Sequence, residues 1–377
     1  MSTTNKVLWP LEPHTRGKHL VLKAYLDQWL PILGSWCGRI VFIDGFAGPG
    51  EYAGGEAGSP IIALDTFTGH MNRGVIRAEV LYLFIEGDAA RAEHLRQLLA
   101  PRHAMLPPNC KLHVVHGRFD ETMTTMLDQI EQGNGAGKRL APTLLMVDPF
   151  GVSDTPMHVI ARVLKNPQAE VYVSFMYEAI NRFKGTPEFE PHMDALFGTS
   201  EWRQALGVAE SEERKRFLFT LYREQLKQAG ARHVVHFELY NGNRLVYAIF
   251  HATKHAKGCD AMKQAIWKAT TGGEYAFRGS RTGQELLTFG PDLARFSGEL
   301  CARLRAPAYT PVEALESFAQ SDETNFHSGH LRKALAELER AARIEVDPTS
   351  RKRRFTYPIG TRIRLTNPAA GSPTAGD

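Results

Sequence analysis

Three acids, each placed at the end of an apolar run, are the residues through which this chain could do chemistry. The first closes Arg39-Ile40-Val41-Phe42-Ile43 and opens Asp44-Gly45-Phe46-Ala47-Gly48-Pro49-Gly50. A buried parallel strand that ends in an acid and a glycine-rich turn delivers its chain to a ligand at its carboxyl end. Small residues let that ligand come close to the backbone, and free N–H groups can receive its polar end. Asp44, Gly45, Phe46, Ala47, Gly48 and Gly50 are therefore cofactor-binding candidates, with a tight ligand-free turn as the alternative. The spacing is G-x-x-G-x-G, neither a phosphate-binding Gly-Lys-Ser/Thr loop nor G-x-G-x-x-G. The second acid, Glu86, ends the run 79–85, where a carboxylate can accept from both ribose hydroxyls of an adenosine. Asp120, at the end of a third run from 111, joins these cofactor-side candidates. The third acid opens Asp148-Pro149-Phe150-Gly151 after Thr143-Leu144-Leu145-Met146-Val147. Asp148, Pro149 and Phe150 are the catalytic candidates, against a plain turn after a buried strand.

The elements that must position these acids alternate. Residues 19–30 carry apolar side chains at 22, 25, 26, 29 and 30, the spacing of an amphipathic helix. Ser59-Pro60 opens a helix behind the glycine loop, and helices over 89–99, 122–130 and 157–164 separate the later strands. A fifth strand spans 170–175. Such β-α repeats with short connections predict a doubly wound, Rossmann-like, mainly parallel α/β sheet. The run Gly133-Asn134-Gly135-Ala136-Gly137 reads as a loop on the opposite edge. Asn241-Gly242-Asn243-Arg244 joins strands 234–240 and 245–252 into a hairpin, and an antiparallel last strand typifies a methyltransferase-type sheet. Beyond Pro307 two helices precede strands expected at 344–346 and 355–357, with Arg351-Lys352-Arg353-Arg354 at the turn between them: the order of a winged helix. The domains predicted are a helical segment 1–35, a core 36–300 with a helical insertion at about 183–230, a winged helix-like domain 301–366 and a disordered tail 367–377.

Together the glycine loop, Glu86 and Asp148 resemble class I S-adenosylmethionine (SAM)-dependent methyltransferases over roughly residues 36–255. Asp148-Pro149-Phe150 is similar to the Asp/Asn-Pro-Pro-aromatic motif of amino-methyltransferases, but lacks the second proline. A wider set of motifs is similar to the three-Cys-motif partner protein (TcmP) family: Lys18-His19, Tyr25-Leu26 with Trp29, Ile43 to Gly50, Gly58-Ser59-Pro60 and Val147 to Gly151. The first resemblance implies SAM as cofactor. The second implies a separate three-cysteine, radical-SAM-type partner protein, and leaves open whether this chain is itself an enzyme or a non-catalytic subunit.

Composition sets the outer bounds. With 377 residues, 43% hydrophobic and 23% charged, the chain has the make-up of a globular protein with room for a second domain. A net charge of +4 neither requires nor forbids a nucleic acid partner. The Arg351, Lys352, Arg353 and Arg354 cluster is the place where phosphates would bind; a protein partner is the alternative. Cys37, Cys110, Cys259 and Cys301 are dispersed, which reads as reduced thiols of a cytoplasmic protein. His113 with His116, and His233 with His236, would point to opposite faces of their strands, so no metal is expected. Tyr177, Glu178, Asn181 and Arg182 could line a substrate pocket or cap the next segment. His251, Lys254, His255 and Lys257, together with Lys263 and Lys268, could form a basic rim or a solvated face. No run is long enough for a membrane span, and the oligomeric state is open.

Overall fold

The computed structural model describes residues 7–133, 139–270, 275–278, 293–304 and 306–366. Positions 134–137 of the expected glycine loop and the tail after 366 lie outside the described residues. The chain divides into two compact units near residue 286.

In the first unit the order is α1 (Pro13–Gly34), β1 (Arg39–Asp44), α2 (Ser59–Thr68), β2 (Glu79–Glu86), α3 (Ala89–His103), β3 (Cys110–His116), α4 (Phe119–Gln132), β4 (Thr143–Val147), α5 (Met157–Leu164) and β5 (Ala169–Phe175). There follow α6 (Tyr177–Phe183), α7 (Glu190–Phe197), α8 (Ser211–Gln228), β6 (His233–Asn241), β7 (Arg244–Thr253), α9 (Ala256–Ala269) and β8 (Ala276–Phe277). Among the described residues these strands form one sheet in the order β3-β2-β1-β4-β5-β7-β6-β8. All neighbours from β3 to β5 are parallel, and β7 runs antiparallel to both β5 and β6. The expected hairpin is present, with the short β8 added beyond it, parallel to β6. Because β1 is followed by β2 on one side and β4 lies on the other, the chain reverses direction between β1 and β4, and a crevice must open at their carboxyl ends.

Period-two alternation divides the sheet's side chains between two cores. Val41, Ile43, Leu145, Val147, Val171 and Val173 face α4, α5 and α8, whereas Ile40, Phe42, Leu144, Met146 and Tyr172 face α1, α2 and α9. The helix α1 buries Leu22, Tyr25, Leu26, Trp29 and Leu30 to within 3% exposure, as their spacing predicts. The segment α6 to α8 is fastened by an aromatic cluster. Phe175 of β5 lies 4.7 Å from Tyr222, 5.5 Å from Phe250, 5.6 Å from Phe219 and 5.7 Å from Phe197, ring centre to ring centre.

The second unit runs α10 (Ala294–Cys301), β9 (Thr310–Pro311), α11 (Val312–Gln320), α12 (Ser328–Arg340), β10 (Ile344–Val346) and β11 (Arg362–Leu365). The three strands form an antiparallel sheet, β10-β11-β9. Two sequence expectations change here. The partner of 344–346 is 362–365, not 355–357, because Phe355 takes a left-handed φ of 58° that no strand tolerates. Also, α10 belongs with this unit, since Phe296 stacks on Phe326 at 4.6 Å. Among the described residues no helix is long and apolar enough to cross a membrane.

If the Phe175 cluster seats the α6–α8 segment on the sheet, Phe175→Ala is expected to cost about 3–5 kcal/mol. The measurement is the denaturant midpoint of the first unit's unfolding; a change below about 1 kcal/mol would count against this role.

Candidate functional site

The glycine loop is stapled to the strands on both sides of β1. Gly45 N–H donates to Met146 O at 2.9 Å, and Ala47 N–H donates to Ile85 O at 2.9 Å. Gly48, at φ 63°, turns its N–H onto Glu86 Oε2 at 2.8 Å, while Glu86 Oε1 accepts from Asp88 N–H at 2.8 Å. Further on, Gly58 N–H donates to Gly50 O at 2.8 Å, and a side chain at Gly58 would strike that same carbonyl. Backbone therefore lies on backbone where the loop returns to α2.

Asp44 is fully buried and works inside the loop. Its Oδ2 accepts from the Ser59 hydroxyl at 2.6 Å and its Oδ1 from Phe46 N–H at 3.1 Å. Burial pushes its pKa up to about 7 against the pull of these two donors. The predicted acid is therefore a tie between β1 and α2, half-protonated near neutrality.

At the end of β4, Asp148 forms an ion pair with Lys18 of α1, whose side chain is 7% exposed. Burial alone would lower the lysine pKa; the Asp148 charge and hydrogen bond outweigh it, and the pKa is raised. The ammonium also lies 5.6 Å from the Tyr247 ring centre. The rings beside this pair are neutral. Burial, aided by Lys18, lowers His19 to about 3, and burial pushes Tyr52 and Tyr247 up to about 12. Asp148 is thus neutralised from beneath while its strand-end position faces the crevice.

Phe150 is 66% exposed at the mouth of this crevice. Its ring meets Trp9 edge-on at 5.2 Å, and the Arg91 guanidinium lies 4.9 Å from Trp9 and 5.5 Å from Phe150. Two adjoining cavities share Phe46, Pro149 and Phe150. One, of about 230 Å³, lies among the glycine loop, Lys18, Tyr52, Asp148 and Tyr247. The other, of about 210 Å³, is bounded by Gly45, Glu86, Arg118 and Phe119. Beside Phe119, Asp120 offers Oδ2 to Arg118 at 3.3 Å, while its Oδ1 is buried without a hydrogen-bond partner.

The structure thus brings the glycine loop, Glu86, Asp148, Pro149 and Phe150 to one crevice. Tyr177, Glu178, Asn181 and Arg182 line neither cavity; Asn181 accepts from Arg214 at 2.9 Å and Glu178 pairs with Arg244 at 3.0 Å. Sequence reasoning missed Trp9, Tyr52, Arg91 and Tyr247, for which no local pattern exists. Lys18 did carry a signal, because a lysine at position 18 falls on the buried stripe 18, 22, 25, 29 of α1. In the second unit Arg351 is not a free cation. It is paired with Glu339, both side chains being 8% exposed, and Tyr357 donates to the same carboxylate at 2.7 Å. Lys352, Arg353 and Arg354 are exposed.

No family model and no curated protein matches the chain. Among solved structures it is similar to an O-methyltransferase from Bacillus cereus in complex with SAH, at 14% identity and a TM-score of 0.31, over 65% of this chain and 82% of that one. It is also similar to the O-methyltransferase TomG from Streptomyces achromogenes in complex with SAM, at 16% and 0.32 over 64% and 80%. A third is the DszA carbon methyltransferase, at 15% and 0.36 over 64% and 54%.

Two outcomes follow from the electrostatics. Between about pH 4 and pH 7 folded Asp44 keeps a proton that the unfolded chain has lost, so its contribution to stability drains away as pH rises through that window. Relative to Asp44→Asn, the wild type should therefore lose about 2–4 kcal/mol between these limits in denaturant unfolding. For the ion pair, Lys18→Met leaves Asp148 unpaired and should cost about 2–4 kcal/mol, of which Asp148→Asn added to it recovers a part. Strict additivity in this double-mutant cycle would show that the two charges do not interact.

Proposed function

We propose that the first unit is a SAM-dependent methyltransferase. The observation that carries this reading is the meeting of the Gly48 amide and the Glu86 carboxylate at the switch point of a sheet whose β7 is antiparallel. A second nucleotide-binding half, as a dinucleotide enzyme would need, has no place in that strand order.

The residues suit the cofactor. Each Glu86 oxygen takes one backbone N–H and keeps acceptor capacity for a ribose hydroxyl. The buried Oδ1 of Asp120 lacks a donor, which the exocyclic amine of an adenine would provide. Phe46 and Phe119, 5.3 Å apart, supply apolar surface for the base, and the small residues of the loop from Gly45 to Gly50 let the amino-acid end come close to the backbone. Bound there, SAM supplies an electrophilic methyl group, whose displacement asks the protein for alignment and exclusion of water. Asp148 would accept a hydrogen bond from the acceptor, with Lys18 holding its carboxylate in place. Phe150 and Trp9 would wall in a planar acceptor.

In the second unit we read the order α10-β9-α11-α12-β10-β11 as a winged helix. Exposed Arg332, Lys333 and Arg340 of α12, together with Lys352, Arg353 and Arg354, favour a nucleic acid as carrier of the acceptor. Two observations favour a second reading. Lys18 already occupies Asp148, and the Asp-Pro-Phe-Gly turn lacks its second proline, as would suit a non-catalytic subunit that recruits a three-cysteine, radical-SAM-type partner in line with the TcmP resemblance.

Calorimetric titration separates the two. SAM and SAH should bind at micromolar to sub-millimolar concentration, and Glu86→Ala should weaken both by at least about tenfold, or 1.4 kcal/mol. No heat with either ligand at about 1 mM would sink the methyltransferase reading; binding without turnover on DNA or RNA would favour the recruiting subunit.

A further inference from the structure

In the second unit the exposed run from Lys352 to Thr356 loops out between two fastenings to one carboxylate. Glu339 of α12 takes the Arg351 guanidinium at one end of the run and the Tyr357 hydroxyl at the other. Within the loop the Thr356 hydroxyl donates to Arg353 O at 2.7 Å, and beyond it Gly360 N–H donates to Glu313 Oε1 of α11 at 2.6 Å. A turn tied to both helices holds its shape, and what that shape displays is Phe355. Its φ of 58° is a conformation that bulky residues rarely adopt and that glycine takes freely. Packing does little to offset the strain, because the side chain is 39% exposed. Strain kept at an exposed residue marks a place where display matters more than packing.

The groups around this ring are cations. The Arg340 and Arg354 guanidinium groups lie 5.0 and 5.6 Å from the ring centre. Neither they nor Lys352 and Arg353 make an ion pair among the described residues, since the acids nearby are taken: Glu339 pairs with Arg351, Glu345 with Arg364 and Asp347 with Arg362. Alongside runs an open groove of about 690 Å³, walled by Ile344, Val346 and Pro348 as well as by Arg351 to Arg354. Past the turn Ile359, 85% exposed, adds another bare apolar side chain. The cations alone would suit the phosphates of a duplex and of a single strand alike. The ring and its guanidinium neighbours decide between them. They offer surfaces on which bases stack, and in a duplex the faces of the bases already cover one another.

We propose that this turn binds a single-stranded stretch of nucleic acid, an unpaired base stacking on Phe355 and its guanidinium neighbours while Lys352, Arg353 and Arg340 take the flanking phosphates. The proposal rests on the reading of the second unit as the part that holds a nucleic acid, and it is independent of methyl transfer. The probes are fluorescently labelled RNA and DNA single strands of about 12 nucleotides and blunt duplexes of the same sequences, titrated with the full chain and followed by anisotropy at about 0.1 M salt. At least one single strand should bind about tenfold or more tighter than its duplex. Glycine takes the left-handed φ freely, so Phe355→Gly should keep the fold, as circular dichroism reports. In that variant single-strand affinity should fall about fivefold or more, while duplex affinity stays within about twofold. Three results would overturn the proposal and leave the nucleic acid reading standing: a duplex bound as tightly as the single strand, single-strand affinity unchanged in Phe355→Gly, or an equal loss on both. No binding of any probe at about 50 µM protein would overturn both, and would assign this face to a protein partner.

Discussion

A lysine ammonium buried at the start of a helix is the constraint to which much of this structure answers. Lys18 enters the core at the top of α1 with 7% of its side chain exposed. An isolated charge there would cost several kcal/mol or be driven to neutrality. Asp148 removes that penalty, and in doing so fixes the amino end of α1 against the carboxyl end of β4. The same contact sets the electrostatics of the crevice. Burial, aided by the field of Lys18, lowers His19, and that field opposes the rise that burial imposes on Tyr52 and Tyr247, leaving one ionic pair among neutral rings.

The glycine loop answers to a second constraint, that its backbone groups be satisfied while it stays open to a ligand. Gly45 and Ala47 give their N–H groups to the neighbouring strands, and Gly48 gives its own to Glu86. Glu86 therefore has two duties: it holds the loop, and it presents the remaining lone pairs to the crevice. Asp44 has only the first. Each of the two acids accepts one hydrogen bond on each oxygen, and they differ in access: Glu86 lines a cavity, whereas Asp44, at 0% exposure, lines neither.

Much of this was legible because it is local. Apolar runs ending in acids placed β1, β2 and β4, and the 22, 25, 26, 29, 30 spacing placed α1. Asn241 to Arg244 announced the hairpin, and period-two burial followed. The pairing of Lys18 with Asp148 was not legible, because 130 positions separate them and only the packed sheet brings them together. For the same reason Trp9, Arg91 and Phe150 meet at the mouth without any local pattern. The cluster from Arg351 to Arg354 misled in a different way. Four adjacent cations read as one patch, but Arg351 turns inward to Glu339, and Tyr357 closes on the same carboxylate. That clamp draws the intervening residues into a protruding turn and carries Phe355 out of the strand its composition suggested.

Stability alone does not account for Lys18 and Asp148. Apolar side chains of matching volume at both places would be neutral or stabilising by about 1–4 kcal/mol, since a buried pair rarely recovers its full desolvation cost. The same holds for Glu170 with His251 and Tyr25 at the other end of the sheet. Lys18 and Tyr25 stand two turns apart on one stripe of α1, so a single helix carries a partner for each buried acid. A helix selected only for packing would fill that stripe with leucine, as Leu22, Leu26 and Leu30 do nearby. Polar side chains at those two levels stand each opposite an acid and each beside a cavity.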